Sequence, residues 1–281
     1  MANAVAVGTL DSAAMRLAVN DTPISRALAA GGRLDVDAVE TSGPKVASAP
    51  EAFPDHPLLL HVPVWDWSLA HPDALADHDA WTVTEAALAT TGAPWLSLHV
   101  GFSARAVAYA GGMKPVGPAL DRDATLTSMT TTVHALRARS PVPLLLENLD
   151  LQGGGAYEHV CEPAFLRELL NATEAWMLLD LAHAQVSASR LGIPAEAYLD
   201  ALPLERVRAL HVSGPRARDG RTWDAHETLQ DRDHELLEWV LARTEPWALT
   251  LEYGRDAEAL VRQLEELRLR VGGASQAGAE G

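Results

Sequence analysis

Short apolar runs recur along the chain at residues 4–10, 36–41, 58–64, 95–101, 142–149, 175–181, 207–213 and 248–253. Most are continuous rather than alternating, the pattern of strands buried on both faces in a parallel sheet. The stretches between them predict helices over 79–91, 123–139, 162–172, 195–202, 231–244 and 256–270. In the last of these, Leu260, Leu264 and Leu267 fall on one helical face. After the second run, residues 43–57 are rich in Pro and Ala and give no convincing helix. The connection over 102–122 is long and carries Gly111-Gly112 and Gly117-Pro118, which marks it as functional or mobile. Eight strands interleaved with helices predict an α/β fold, a single (β/α)8 TIM-type barrel over residues 1–271. The Gly- and Ala-rich stretch 272–281 is expected to be a disordered tail.

What the polar residues do at the ends of these runs matters more than the runs themselves. Glu40, His61, His99, Glu147, Asp180, His211 and Glu252 each stand at or near the C-terminal end of an apolar run. A charge in such a place is costly unless it is paired or coordinated. A barrel brings all of its C-terminal strand ends onto one face, where active sites sit, so scattered positions become one cluster. Carboxylates gathered there would repel one another, and a cation is a natural way to hold them with imidazoles. His183 lies just past Asp180, and Asp224-Ala225-His226 sets two ligand-type side chains two residues apart, which suits one metal if the backbone is extended. A single buried His or Asp is more often a hydrogen-bonded core residue; repetition along the chain favours a site. His56, His71, His78 and His159 read as solvated, His134 as structural and His234 as exposed. Trp65, Trp67 and Trp223 are candidates to line a pocket, while the other tryptophans read as core.

Composition narrows the chemistry. One cysteine, Cys161, excludes a disulfide framework within the chain and makes a zinc–thiolate site implausible, so a metal would be held by nitrogen and oxygen. Cys161 also has no basic neighbour to mark it as a nucleophile. With no basic apolar leader and no run long enough to span a bilayer, the expected location is the cytoplasm, away from membranes. A formal net charge of −16 repels phosphate backbones and argues against nucleic acid as a partner. A basic or neutral peptide, or a small molecule, is the better expectation.

Glu147-Asn148, Leu179-Asp180, His211-Val212-Ser213-Gly214, Asp224-Ala225-His226 and Leu251-Glu252-Tyr253 occur in the order seen in one family. The chain resembles the multinuclear non-haem iron-dependent oxidative enzymes, among them the methanobactin oxazolone/thioamide-forming enzyme and the enzyme that excises a β-carbon from a peptide cysteine in thiaglutamate biosynthesis. The resemblance implies a xylose isomerase-like barrel holding two or three iron ions in mixed Fe(II)/Fe(III) states, with O2 as co-substrate. It implies that His61 and His99 bind one iron with Glu147 bridging to the next. Asp180, His211 and Glu252 would complete the second site, and His183, Asp224 and His226 the third. The same nine residues, with His61, His99, Glu147, Asp180, His211 and Glu252 as the catalytic set, are the expected centre. Many members carry Asp-Val-Asn-Asn where this chain has Asp180-Leu181-Ala182-His183, a departure that bears on the third site. The implied substrate is a cysteine-containing, ribosomally made precursor peptide, recruited with the help of a small partner protein. An acidic surface would favour a basic leader segment.

Other enzymes use similar donors on similar barrels. A metal-dependent hydrolase or three-zinc endonuclease is one rival, and the net charge opposes the endonuclease. A divalent-metal sugar isomerase or epimerase is another; the two lysines, Lys45 and Lys114, do not end strands, which weakens a lysine-assisted form. A metal- or peptide-binding scaffold without turnover is the non-enzymatic alternative.

Overall fold

The computed structural model describes residues 15–62, 68–71, 78–110 and 113–277. In chain order the strands are β1 (Arg16–Asn20), β2 (Ala38–Thr41), β3 (Leu58–Val62), β4 (Leu96–His99), β5 (Val107–Tyr109), β6 (Met113–Pro115), β7 (Leu144–Glu147), β8 (Trp176–Asp180), β9 (Val207–Val212), β10 (Gly214–Arg218), β11 (Arg221–Glu227) and β12 (Ala248–Leu251). The helices are α1 (Pro23–Ala30), α2 (Ala49–Ala52), α3 (His78–Thr91), α4 (Arg122–Arg139), α5 (Pro163–Thr173), α6 (Leu181–Leu191), α7 (Ala195–Ala201), α8 (Asp231–Leu241) and α9 (Ala257–Ala277). Eight strands close a barrel in the order β1-β12-β9-β8-β7-β4-β3-β2. Every pairing within it is parallel, as βα alternation requires. Two antiparallel hairpins, β5-β6 and β10-β11, stand apart from the barrel sheet.

Side chains on a strand alternate between its faces, so parity assigns the interior. Ala18, Ala38, Leu59, Trp95, Leu145, Leu178, Ala209 and Ala248 form one buried cluster, separate from the larger core that the helices cover. All eight barrel strands contribute to it or flank it. Two residues further along the same strands come Asn20, Glu40, His61, Ser97, Glu147, Asp180, His211 and Thr250, with His99 and Glu252 two positions beyond Ser97 and Thr250. The interior is thus apolar at the N-terminal end and polar at the C-terminal end. Trp95 and Trp176 pack against Trp247, with centroids 5.5 and 6.2 Å apart, and Arg208 lies over Trp176 at 4.3 Å.

Seven of the eight apolar runs are barrel strands. The run at 4–10 lies outside the described residues, and the first barrel strand is Arg16–Asn20, which pairs with β12 from Arg16↔Ala248 and with β2 as far as Asn20↔Glu40. Its apolar part is only three residues, between Arg16 and Asn20, so it is less conspicuous than the longer run before it. Two helices also escape the sequence pattern. In α1, Thr22 and Ser25 form a capping box. α6 starts with no intervening loop, because Asp180 ends β8 and also caps α6 by accepting from the His183 N–H at 2.7 Å. Residues 43–57 hold a 3₁₀ turn over Gly43–Ser48 and the short α2. The long connection over 102–122 contains both strands of the β5-β6 hairpin. α9 runs to Ala277, into the stretch expected to be a tail, where Ala274 and Ala277 are good helix formers. No helix among the described residues is long and apolar enough to cross a membrane.

Candidate metal centre

Glu147 is the hub of the polar end of the barrel. It ends β7 beside His99 of β4, its lateral partner in the register. Its Oε2 lies 3.1 Å from His61 Nε2 and 3.2 Å from His99 Nε2. Its Oε1 lies 3.4 Å from His211 Nδ1 and 3.5 Å from His183 Nδ1. His211 Nδ1 is also 3.5 Å from Glu252 Oε1, and His183 Nε2 is 3.6 Å from Asp224 Oδ2. His226 Nε2 meets Asp224 Oδ2 at 2.7 Å and Glu252 Oε2 at 3.8 Å. Eight of the nine sequence-predicted ligands are therefore linked directly through these contacts. Asp180, the ninth, belongs with Glu147 and His183: one donor atom from each lies within 4.8 Å of the others. His61, His99 and Glu147 form a second such group, and Glu40, His211 and Glu252 a third.

The imidazoles are oriented from behind. His61 Nδ1 meets Ser97 Oγ at 3.0 Å, which leaves Nε2 for Glu147. His183 Nδ1 contacts the Asn148 carbonyl oxygen at 2.8 Å, which turns Nε2 towards Asp224. His211 Nε2 meets the Glu40 carboxylate at 2.9 Å, so Nδ1 faces Glu147 and Glu252. A ring fixed at one nitrogen and free at the other towards carboxylates is the arrangement of a metal-bound histidine. The carboxylates are held as well. Asn148 clasps the Asp180 backbone with two hydrogen bonds, at 2.9 and 3.0 Å. Asn20 Nδ2 donates to Glu252 Oε1 at 2.9 Å, and Ser213 Oγ to Asp224 Oδ1 at 3.0 Å.

The β10-β11 hairpin delivers Asp224 and His226. Gly214 starts it where a Cβ would lie 2.1 Å from the Thr228 carbonyl oxygen, so only glycine lets the two strands approach. His226 has φ of 46°, in the left-handed region that non-glycine residues seldom occupy. Arg255 donates to the carbonyls of Ala225 and His226, at 2.7 and 3.2 Å, and anchors that backbone.

Electrostatics follow from burial and crowding. Burial alone would lower the pKa of His211, but Glu40 and Glu252 outweigh it and hold the ring well above its usual value. His183 is likewise raised, Asp180 and Asp224 overcoming desolvation. Burial keeps His99 low despite Glu147. Glu147 sits well below the carboxylate range because His99, His61 and His211 outweigh its desolvation. Asp180 is pushed up to about 7, by burial and, against the pull of His183, by Glu252, Asp224 and Glu147. Glu147 Oε2, Asp180 Oδ2 and His211 Nδ1 are buried and find no well-directed hydrogen bond among the described residues. Such atoms are costly to bury unless something else satisfies them. Three orphaned donors converging with further imidazoles and carboxylates fit a cation, and the nitrogen–oxygen set suits iron, manganese or zinc rather than thiophilic metals.

Asn20, Glu40, His61, His99, Glu147, His183, Asp224, His226 and Glu252 line a cavity of about 210 Å³ at the mouth of the barrel. A larger surface depression, about 900 Å³, lies between Arg208 and α8 and contains no histidine.

The family model for the RiPP precursor modification enzymes MbnB/TglH/ChrH, which act on ribosomally made peptides, matches residues 39–271. The chain belongs to this family. A UPF0276 protein of Bordetella parapertussis is 32% identical over 177 residues, covering 61% of this chain and 60% of that protein. A UPF0276 protein of Paraburkholderia phytofirmans is 34% identical over 114 residues, 41% of this chain and 34% of that relative. Both matches thus span less than two thirds of the relative's length. Among solved structures, a D-tagatose 3-epimerase-like protein aligns with a TM-score of 0.63 at 13% identity, covering 94% of this chain and all of that one, at 100%. The 3-keto-D-glucoside 4-epimerase of E. coli aligns at 0.59 and 14% identity, covering 91% and 99%. Endonuclease IV of Thermus thermophilus aligns at 0.53 and 20%, covering 90% and 98%. These likenesses establish a xylose isomerase-like TIM barrel, as the sequence led one to expect. Family membership and the clustered donors together support a metal-dependent enzyme on that barrel.

Several parts of this centre are not in the sequence reading. Glu40 ends an apolar run but was not among the expected ligands; the fold sets it behind His211. Asn20 becomes visible only once the first strand is placed at Arg16–Asn20. Lys45 lines the cavity from the turn after β2, although it ends no strand, and its Nζ donates to the Asp21 carbonyl at 2.6 Å. His234 is buried on α8, 3.5 Å from Glu266 of α9, rather than exposed. His134 is exposed on α4, with Nε2 3.1 Å from the Ala172 carbonyl oxygen. Trp65 and Trp67 lie outside the described residues. Cys161 is buried, and desolvation holds its thiol well above the usual range, which makes it a poor nucleophile.

Proposed function

We propose that this chain is a multinuclear non-haem iron enzyme that uses O2 to modify a ribosomally made precursor peptide oxidatively at cysteine. The observation that carries the reading is Glu147, a buried carboxylate with two imidazoles on one oxygen and two on the other, shared between two donor groups. A carboxylate placed between two groups suits a bridge between two cations. In this reading His61, His99 and Glu147 would hold one iron, and Asp180, His211 and Glu252 would complete the next, with Glu40 beside His211 and Glu252; His183, which groups with Asp180 and Glu147, would serve a third site with Asp224 and His226. When bound, iron supplies redox chemistry with O2 and a Lewis-acidic position for a thiolate. The protein fixes the donors, excludes water from the barrel interior and presents one open side through the cavity. Glu40, Ser97 and Asn148 keep the imidazole rings in register. A small partner protein would bring the peptide leader to this face.

The reading is tested by supplying the anaerobically iron-loaded protein with O2 and a cysteine-bearing precursor peptide encoded beside its gene. Mass spectrometry should find a mass change confined to the cysteine and absent from the Cys-to-Ser peptide. An unchanged peptide in the presence of a fully loaded centre and the partner would contradict it.

A further inference from the structure

Beside the metal centre lies a second recess with no assigned role. It occupies about 280 Å³ between the two hairpins and the loop after β7. Lys114 of β6, Arg190 of α6 and Arg221 of β11 converge on it, with Trp223 and Gln152, and no carboxylate lines it. That composition stands out in a chain of net charge −16. Lys114, Arg190 and Arg221 make no ion pair among the described residues, unlike Arg33, Arg122, Arg167, Arg232 and Arg268. Arg190 instead lies over the Trp223 ring at 5.5 Å, and its buried Nε finds no acceptor there. Across the hairpin, Arg221 is directly opposite Arg218. Arg218 has Asp219 within 3.8 Å, whereas Arg221 has no carboxylate partner among the described residues. The recess is built by close approach: Gly154, with φ of 129°, lies where a Cβ would be 2.7 Å from the Met113 carbonyl oxygen.

We propose that this recess binds an acidic side chain of the peptide substrate, its carboxylate among Arg190, Arg221 and Lys114 and its methylenes against Trp223. The proposal rests on the reading of the chain as a peptide-modifying enzyme. Consecutive residues on a strand face opposite ways, so Trp223 turns to the recess while Asp224 turns to His183 and His226. The two sites therefore share one wall. A bound Glu or Asp would set the register of the peptide so that a nearby residue reaches the metal centre. Guanidinium groups suit a carboxylate by charge and by fork geometry. The recess holds one or two side chains, too small for a phosphodiester backbone, which the rest of the surface would repel. The expectation of a basic peptide, drawn from net charge alone, is reversed at this rim.

Isothermal titration of the metal-loaded protein tests this, using acetyl-Gly-Glu-Glu-Gly-amide, its Gln and Lys counterparts, and inorganic phosphate. The Glu peptide should bind at least tenfold more tightly than the other two peptides, and less tightly as salt is added. Arg190→Gln with Arg221→Gln should weaken it at least tenfold while metal content stays at the wild-type level. Lys114→Gln with Arg221→Gln, both at exposed positions, gives the same readout should the first pair fail to fold. Equal binding of the Gln peptide, or undiminished binding by the variants, would overturn the proposal. So would binding of phosphate without binding of the Glu peptide. None of these readouts requires turnover, so absence of iron or of peptide oxidation would defeat the functional reading while leaving this result legible.

Discussion

Each imidazole near Glu147 is decided by what holds its far nitrogen. His211 is the clearest case, because Glu40 at 2.9 Å fixes the ring and leaves Nδ1 facing two carboxylates. Outer carboxylates of this kind tune both the orientation and the basicity of a metal ligand, and their loss typically costs about 10–100-fold in affinity. Glu40→Ala should therefore lower metal affinity about 10–100-fold, as read by competition with a chelator, with the circular dichroism spectrum unchanged. Unaltered affinity would show that Glu40 serves the fold alone. The strand-end residues were legible in the sequence because a histidine or acid after three apolar residues is conspicuous. Glu40 was conspicuous too, but its role was not: only closure of the barrel brings β2 across from β9. Asn20 was hidden behind a misplaced strand.

At the scale of elements, the β10-β11 hairpin is the least regular part of the centre and carries two of its donors. Its start at Gly214 leaves no room for a side chain, and beside its partner Glu227 on the returning strand His226 stands at positive φ. Gly214→Ala must push the Thr228 carbonyl away and, with it, the backbone that places Asp224 and His226. A loss of about 1–3 kcal/mol in chemical denaturation is expected, of the size that overpacking usually costs. The share of metal bound through Asp224 and His226 should fall with it, while His61, His99 and Glu147 keep theirs. Equal metal content with normal stability would mean that the hairpin tolerates the shift. The sequence showed the Asp-Ala-His spacing but not the strand that makes it work, since residues 214–227 are mostly polar and carry no apolar alternation. The α6 helix was missed for a related reason: Asp180 serves as strand end, N-cap and candidate ligand at once, so no loop announces the change.

For the whole molecule, the barrel interior divides into an apolar plug and a polar mouth, and the buried carboxylates and imidazoles gather at the mouth. A cation that binds the folded chain and not the unfolded one stabilises it by mass action, about 2.7 kcal/mol when free metal stands at one hundred times Kd. Removing metal with a chelator should lower Tm by several degrees, and restoring Fe(II) without oxygen should recover it. A Tm indifferent to both would leave the buried carboxylates without the partner argued for them. The barrel itself was legible because parallel strands covered on both faces leave continuous apolar runs. Which strand end faces which was not, because lateral neighbours such as His99 and Glu147 are far apart in the chain and meet only through register.

The central claim, a multinuclear iron centre gathered around Glu147, is tested most directly by metal analysis and Mössbauer spectroscopy on protein purified without oxygen and without added metal. Two or three irons per chain, in an exchange-coupled mixed-valent cluster that Glu147→Gln disperses, is the predicted result. Zinc or magnesium alone, filling a catalytically competent site, would contradict it.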